Sequence, residues 1–156
     1  MLRKLSAGLL AAVISVFGLF TGFNQTYAYQ YQYDRKSPVK TGCHKTGWAP
    51  KTKKISYGSI TGTLYLMFSS KCKTAWAYVK LNKPLPKGYE ILAFVTRNTD
   101  KHIGTCTRGN GSIIPGQTSC YSAMVYDLSP HTSYAQVYIK KPDNPHPLSK
   151  IRTGSY

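Results

Sequence analysis

Acidic side chains are scarce in this 156-residue chain: Asp34, Glu90, Asp100, Asp127 and Asp143 are the full set. Any paired-carboxylate or divalent-cation site would have to gather them from distant positions. The compact chemical motifs are missing as well. There is no Gly-x-Ser-x-Gly elbow, no His-Glu-x-x-His, no Walker-type glycine loop and no Asp-x-Asp calcium loop. No two cysteines stand in Cys-x-x-Cys spacing and no His-x₃-His accompanies them, which argues against zinc. Internal repeats are absent, helical periodicity is hard to find, and no apolar run closes the chain. These absences lead us to expect no enzyme, no cofactor and no metal site.

What is present begins with a secretory pattern. Arg3 and Lys4 are followed by an apolar stretch from Leu5 to Phe23, then by Thr26-Tyr27-Ala28 as a cleavage site. The competing reading, a membrane anchor, fits less well because Ser6, Gly8, Ser15, Gly18, Thr21 and Gly22 interrupt the run. We therefore expect residues 1–28 to be a removed signal peptide and the product to be secreted. The remaining chain, Tyr29 to Tyr156, carries 19 basic and five acidic residues, a net charge of +14. A field of that strength draws anionic polymers.

An exported chain with an even number of cysteines is expected to form disulfides. Cys43, Cys72, Cys106 and Cys120 allow three connectivities, of which we expect the sequential one, Cys43–Cys72 and Cys106–Cys120.

Alternation of period two is common. "TGTLYLMFSS" puts Leu64, Leu66 and Phe68 on one face, and "TAWAYVKL" does the same with Ala75, Ala77, Val79 and Leu81. "YEILAFVTR" (89–97) is apolar on both faces and suits a central strand, and "SCYSAMVYD" (119–127) and "SYAQVYIK" (133–140) complete the set. With turn-rich segments between them, the pattern predicts an all-β sandwich or barrel of about six short strands over residues 29–140. "YQYQYDRKSP" is expected to be an edge strand or a flexible arm. Residues 141–156, with prolines at 142, 145 and 147, are expected to be a flexible, solvated tail.

The chain after residue 28 has twelve tyrosines against two phenylalanines and two tryptophans. Tyrosine suits half-exposed sheet faces whether or not a ligand is bound. Lysines are spread rather than striped, which fits non-specific attraction better than sequence-specific reading of nucleic acid. As a polymer-binding surface we single out Lys51, Lys53, Lys54, Tyr65, Tyr78, Tyr134 and Tyr138. The catalytic alternative would pair His131 with Asp127, or His102 with Asp100. Both pairs fall in segments ("DLSPHTS" and "TDKH") that more simply spell turns.

Several motifs in order, Tyr33-Asp34 with Pro38, "TGC" (41–43), "SSKCKTAWA" (69–77), "GYE" (88–90), "RNTD" (97–100), "GNG" (109–111), "PGQTSCY" (115–121), "MVYD" (124–127) and "TSYA" (132–135), resemble the YjfA-like (DUF2690) family of small secreted bacterial proteins of unknown function. The resemblance implies export, an all-β disulfide-bonded domain and a Gram-positive source, and it implies no activity. This chain departs from the family's Tyr-Asp-Gly-Lys-Asp-Pro by carrying Arg35, Lys36 and Ser37 before Pro38. Three charged family positions are Tyr65, Met67 and Tyr78 here, whereas Leu66 and Trp76 persist. "SSKCKTAWA" then reads as scaffolding, with Cys72 tied to Cys43 and Trp76 inserted between alanines.

The reading that follows is a secreted, non-enzymatic, monomeric cationic domain with an anionic cell-wall polymer as partner. An antibacterial or inhibitory effector is the alternative, and a hydrolase is a third.

Overall fold

Strict alternation of inward and outward side chains organises the computed structural model, which describes residues 31–156. The expected signal segment, 1–28, and the expected first residue of the product, Tyr29, lie outside the described residues. Tyr33–Tyr156 forms one compact unit. In it β2 (Ile60–Ser69) turns Leu64, Leu66 and Phe68 inward and leaves Tyr65 and Met67 half-buried. β3 (Thr74–Leu81) buries Ala75, Ala77, Val79 and Leu81, with Trp76, Tyr78 and Lys80 on the other side. β4 (Glu90–Arg97) and β8 (Ser133–Lys140) repeat the pattern with Ile91, Ala93, Val95 and with Ala135, Val137, Ile139.

β1 (Gly47–Tyr57), β2, β3 and β6 (Ser119–Tyr121) lie in that order in a first antiparallel sheet, and β7 (Val125–Tyr126) also pairs with β3. The second sheet runs β5 (Ile103–Thr105), β4, β8, β9 (Ser149–Arg152). The inward faces of both sheets meet in one apolar core, so the fold is a sandwich. Each fully buried Leu, Ile or Val contributes roughly 1.5–3 kcal/mol relative to exposure. β4 is an interior strand flanked by β5 and β8, as its two apolar faces require.

A second, smaller cluster covers the outer face of the first sheet at one end. Trp76, Cys43 and Met124 are buried there with Tyr33, Met67 and Tyr78 packed around them. A side chain on Gly47 would strike the Trp76 ring at 2.6 Å, so glycine at 47 makes room for the indole. The Cys43–Cys72 bridge closes this cluster. Spanning 29 residues, it stabilises the fold by roughly 3–4 kcal/mol under the chain-entropy model.

The structure corrects four expectations. Cys106 and Cys120 are both buried thiols rather than a second bridge. They are satisfied without oxidation: they share a thiol hydrogen bond, and Cys106 Sγ accepts the Ala93 amide at 3.2 Å. That hydrogen bond and burial push the Cys120 thiol far above the ordinary value. Counting cysteines by compartment overlooks that a thiol packs as a small apolar group.

The second correction concerns residues 141–156, expected as a flexible tail. They include β9, in which Ile151 pairs with Val137 while Lys150 and Arg152 turn outward. Beyond it the Thr153 amide donates to Ala135 O, and Ser133 and Tyr156 exchange two backbone hydrogen bonds of 3.0 Å.

Third, "SCYSAMVYD" is not one strand. The Ser122 Oγ accepts the Ala77 amide at 2.9 Å, interrupting the ladder between β6 and β7.

Fourth, Tyr33–Thr41 folds as successive turns rather than a strand, held by the Arg35 amide on Met124 O and the Met124 amide on Lys36 O. Pro38 has no amide to give a ladder.

Candidate functional site

The seven residues expected to form a polymer-binding surface are divided between the two outer faces and one edge. Tyr65 and Tyr78 are register partners on the outer face of the first sheet, with ring centroids 5.7 Å apart. Lys54 pairs with Thr63 and points to that same side. Tyr134 and Tyr138 stand on the outer face of the second sheet, across the core from them. Lys51 and Lys53 pair with Leu66 and Leu64 on the core side of β1, but β1 is an edge strand and both remain exposed. Lysines on an edge strand also keep it from pairing with another chain.

The second sheet's outer face is the better assembled. Arg152 on β9 lays its guanidinium over the Tyr134 ring, 3.5 Å from the centroid, and Lys150 Nζ lies 5.3 Å from the Tyr138 centroid. Phe94 packs on Tyr138 at 4.8 Å. Such cation–ring pairs contribute about 0.5–1 kcal/mol each at exposed positions, and they hold the charges flat on the sheet. Glu90 is the acid on this face, and its charge is matched by Lys140 at 3.0 Å. At the neighbouring edge β9 and β1 run close together, with Trp48 and Phe68 each 5.4 Å from the Tyr156 ring. The β1 edge that carries Lys51 and Lys53 thus neighbours the β9 edge that carries Lys150 and Arg152. Rings next to unneutralised cations suit a polymer that carries both anionic groups and apolar or sugar faces.

A charge network that the sequence did not single out lies at the opposite end of β4. Arg97 occupies an inward position of the strand and is only 3% exposed. Its Nη1 donates to Asp34 Oδ2 at 2.9 Å, and its Nε and Nη2 donate to both carboxylate oxygens of Asp100 at 2.9 and 2.7 Å. Asp34 Oδ1 accepts the Tyr126 amide in turn. The Arg97 hydrogen bonds, opposed by partial burial, hold the Asp100 carboxyl well below the usual range. Beside this network Asp127 is 5% exposed. Its Oδ1 accepts the Ser133 hydroxyl at 2.8 Å, and its Oδ2 has no hydrogen-bond partner among the described residues. Burial raises its pKa to about 7, against the smaller opposing effects of Ser133 and Arg97.

The two His–Asp pairs weighed for catalysis each carry contacts to other groups. Asp127 is bound by Ser133, which is itself fully buried, and His131 Nδ1 lies 2.7 Å from Thr99 Oγ1. Asp100 accepts the backbone amide of His102, whose ring instead approaches Arg35 Nε at 3.4 Å and Asp34 at 3.9 Å. Among the described residues no group of three or more His, Cys, Asp or Glu side chains is placed to hold a metal ion.

The profile of the family described as "Protein of unknown function (DUF2690)" matches residues 31–136. This chain belongs to that family. It is also 43% identical over 130 residues to the "Uncharacterized protein YjfA" of Bacillus subtilis (strain 168), a span covering 81% of each chain. No solved structure matches. The DUF2690 span contains Asp34, Arg97, Asp100, Tyr126 and Asp127, so the separate "YD", "RNTD" and "MVYD" motifs meet in one network. Arg35 has φ of 63°, in the left-handed region that favours glycine.

Proposed function

We propose that this chain is exported and acts, as a non-enzymatic monomer, by associating with anionic cell-envelope or extracellular polymers. The binding surface of this reading is the rim and face made by Tyr134, Tyr138, Lys150, Arg152, Lys51 and Lys53. The observation that carries it is the stacking of Arg152 and Lys150 over tyrosine rings on a face whose acid, Glu90, is already paired. Cations held in place by rings lose less freedom when they engage an anion. The +14 charge brings polymer to the surface, and the rings give it something to lie against. The Cys43–Cys72 bridge agrees with an oxidising destination.

Cosedimentation with bacterial cell walls tests the reading. The expected result is binding at low salt, release at high salt, and no binding to walls stripped of their anionic polymers. Binding that persists at high salt, or that ignores the stripping, contradicts it.

A further inference from the structure

Away from that rim, the turns of Tyr33–Thr41 and the short 3-10 helix Cys106–Arg108 enclose a half-open concavity of about 360 Å³. Arg35, Lys36, Lys40 and Arg108 line it, and no acidic residue does. Among the described residues no ion-pair partner serves Lys36, Lys40 or Arg108. Arg35 spends its Nε on His102 and keeps its two terminal nitrogens. Four exposed cations thus face one concavity with no counter-charge lining it, and an anion placed there is attracted by all four.

The backbone is fixed where these charges sit. The Arg35 amide and Lys36 carbonyl are both bound to Met124, and Asp34 is anchored by Arg97 and the Tyr126 amide. Arg35 itself adopts φ of 63°, a conformation that disfavours any side chain, yet it carries the longest cationic one. Ser37 lines the concavity and is 7% exposed; its Oγ accepts the Lys40 amide, which leaves its proton to donate. The Lys40 and Thr41 amides are themselves spent on Ser37, so the donors on offer are guanidinium, ammonium and hydroxyl groups.

We propose that this concavity binds a phosphoryl group, as a phosphomonoester or phosphodiester. Two guanidinium forks suit the several oxygens of a phosphate better than the two of a carboxylate, and the ammonium groups add charge without demanding one geometry. The inference rests on the polymer-binding reading in that it names phosphate as the anion the protein recognises. It places that recognition at a second, separate site.

The test is a backbone-amide NMR titration of the disulfide-intact product with inorganic phosphate. Glycerol 3-phosphate and a glycerophosphodiester follow, with acetate and chloride at matched ionic strength as controls. Saturable shifts confined to residues 34–42 and 106–110, seen with the phosphates and not with acetate or chloride, are the expected result. Saturation by inorganic phosphate and the monoester alone assigns the site to terminal phosphates, and saturation by the diester as well assigns it to a polymer backbone. R35G suits the left-handed backbone, and K36Q and R108Q lie on the surface, so all three should fold. R35G combined with R108Q should weaken phosphate binding by roughly tenfold or more. Equal responses to acetate and phosphate, or unchanged phosphate affinity in the double variant, overturn the proposal. Wall sedimentation run in parallel separates the two readings. Walls bound without a phosphate response leave the polymer reading standing alone, and a phosphate response without wall binding leaves the phosphate site alone.

Discussion

Arg97 and Asp127 are neighbours with opposite relations to charge. Arg97 is buried as an ion with two carboxylates around it, so removing it leaves Asp34 without its partner in a partly buried site. Arg97→Ala is expected to destabilise the protein by about 3–5 kcal/mol in urea unfolding. Arg97→Lys should recover only part of this, because one ammonium cannot reproduce the two-pronged contact with Asp100. Asp127 is buried without a cation of its own. Its native pKa is raised to about 7, so between about pH 4 and pH 7 the folded state keeps a proton that the unfolded state has released. Stability from this group therefore falls as pH rises through that window and levels off above it. Asp100, held low by Arg97, acts in the opposite sense: its contribution is present above about pH 4 and is lost on further acidification. Asp127→Asn should flatten the decline between pH 5 and pH 8 and stabilise the protein at pH 8 by about 1–3 kcal/mol. A pH series of urea midpoints checks both size and sign.

The strands with long alternation were legible from sequence, and those made by their neighbours were not. Leu64, Leu66 and Phe68, or Ala135, Val137 and Ile139, announce a buried face because each strand supplies its own period-two signal. β9 supplies a single apolar inward residue, Ile151, after three prolines, and it becomes a strand because β8 offers a free edge. β1, with Lys51, Lys53 and Lys54, lacks an apolar alternation of its own and is a strand through its pairing with β2. The same limit applied to sites. Tyr134 and Tyr138 were picked out as a platform, but their partners Lys150 and Arg152 lay in what read as a tail. Arg97 stood in the alternating register of β4 at an inward position, a signal that was available. Its partner Asp34 lies 63 residues away and carries no local mark. Since β9 is a paired strand, the Thr153 and Tyr156 amides should be protected in hydrogen exchange. Deleting residues 149–156 should cost roughly 2–4 kcal/mol by uncovering the Val137 edge. Fast exchange at both amides would return this segment to a solvated tail.

At the scale of the whole molecule, a shortage of acids becomes a division of labour. Four of the five carboxylates are already engaged, Asp34 and Asp100 by Arg97, Asp127 by Ser133 and Glu90 by Lys140, and Asp143 lies exposed. Most of the positive charge is left on the surface, and the fold sorts part of it onto a tyrosine-lined rim. On this account the binding energy is electrostatic, and it is drawn from identifiable side chains rather than from net charge alone. The most direct measurement is the salt dependence of binding to purified cell walls, for the parent and for a variant combining K150Q with R152Q. The account predicts a linear fall of log affinity with log salt, and a slope shallower by roughly 1.5 in the variant, close to one released counterion per lost contact. Equal slopes for the two proteins would contradict it, because the charges stacked on Tyr134 and Tyr138 would then take no part in holding the polymer.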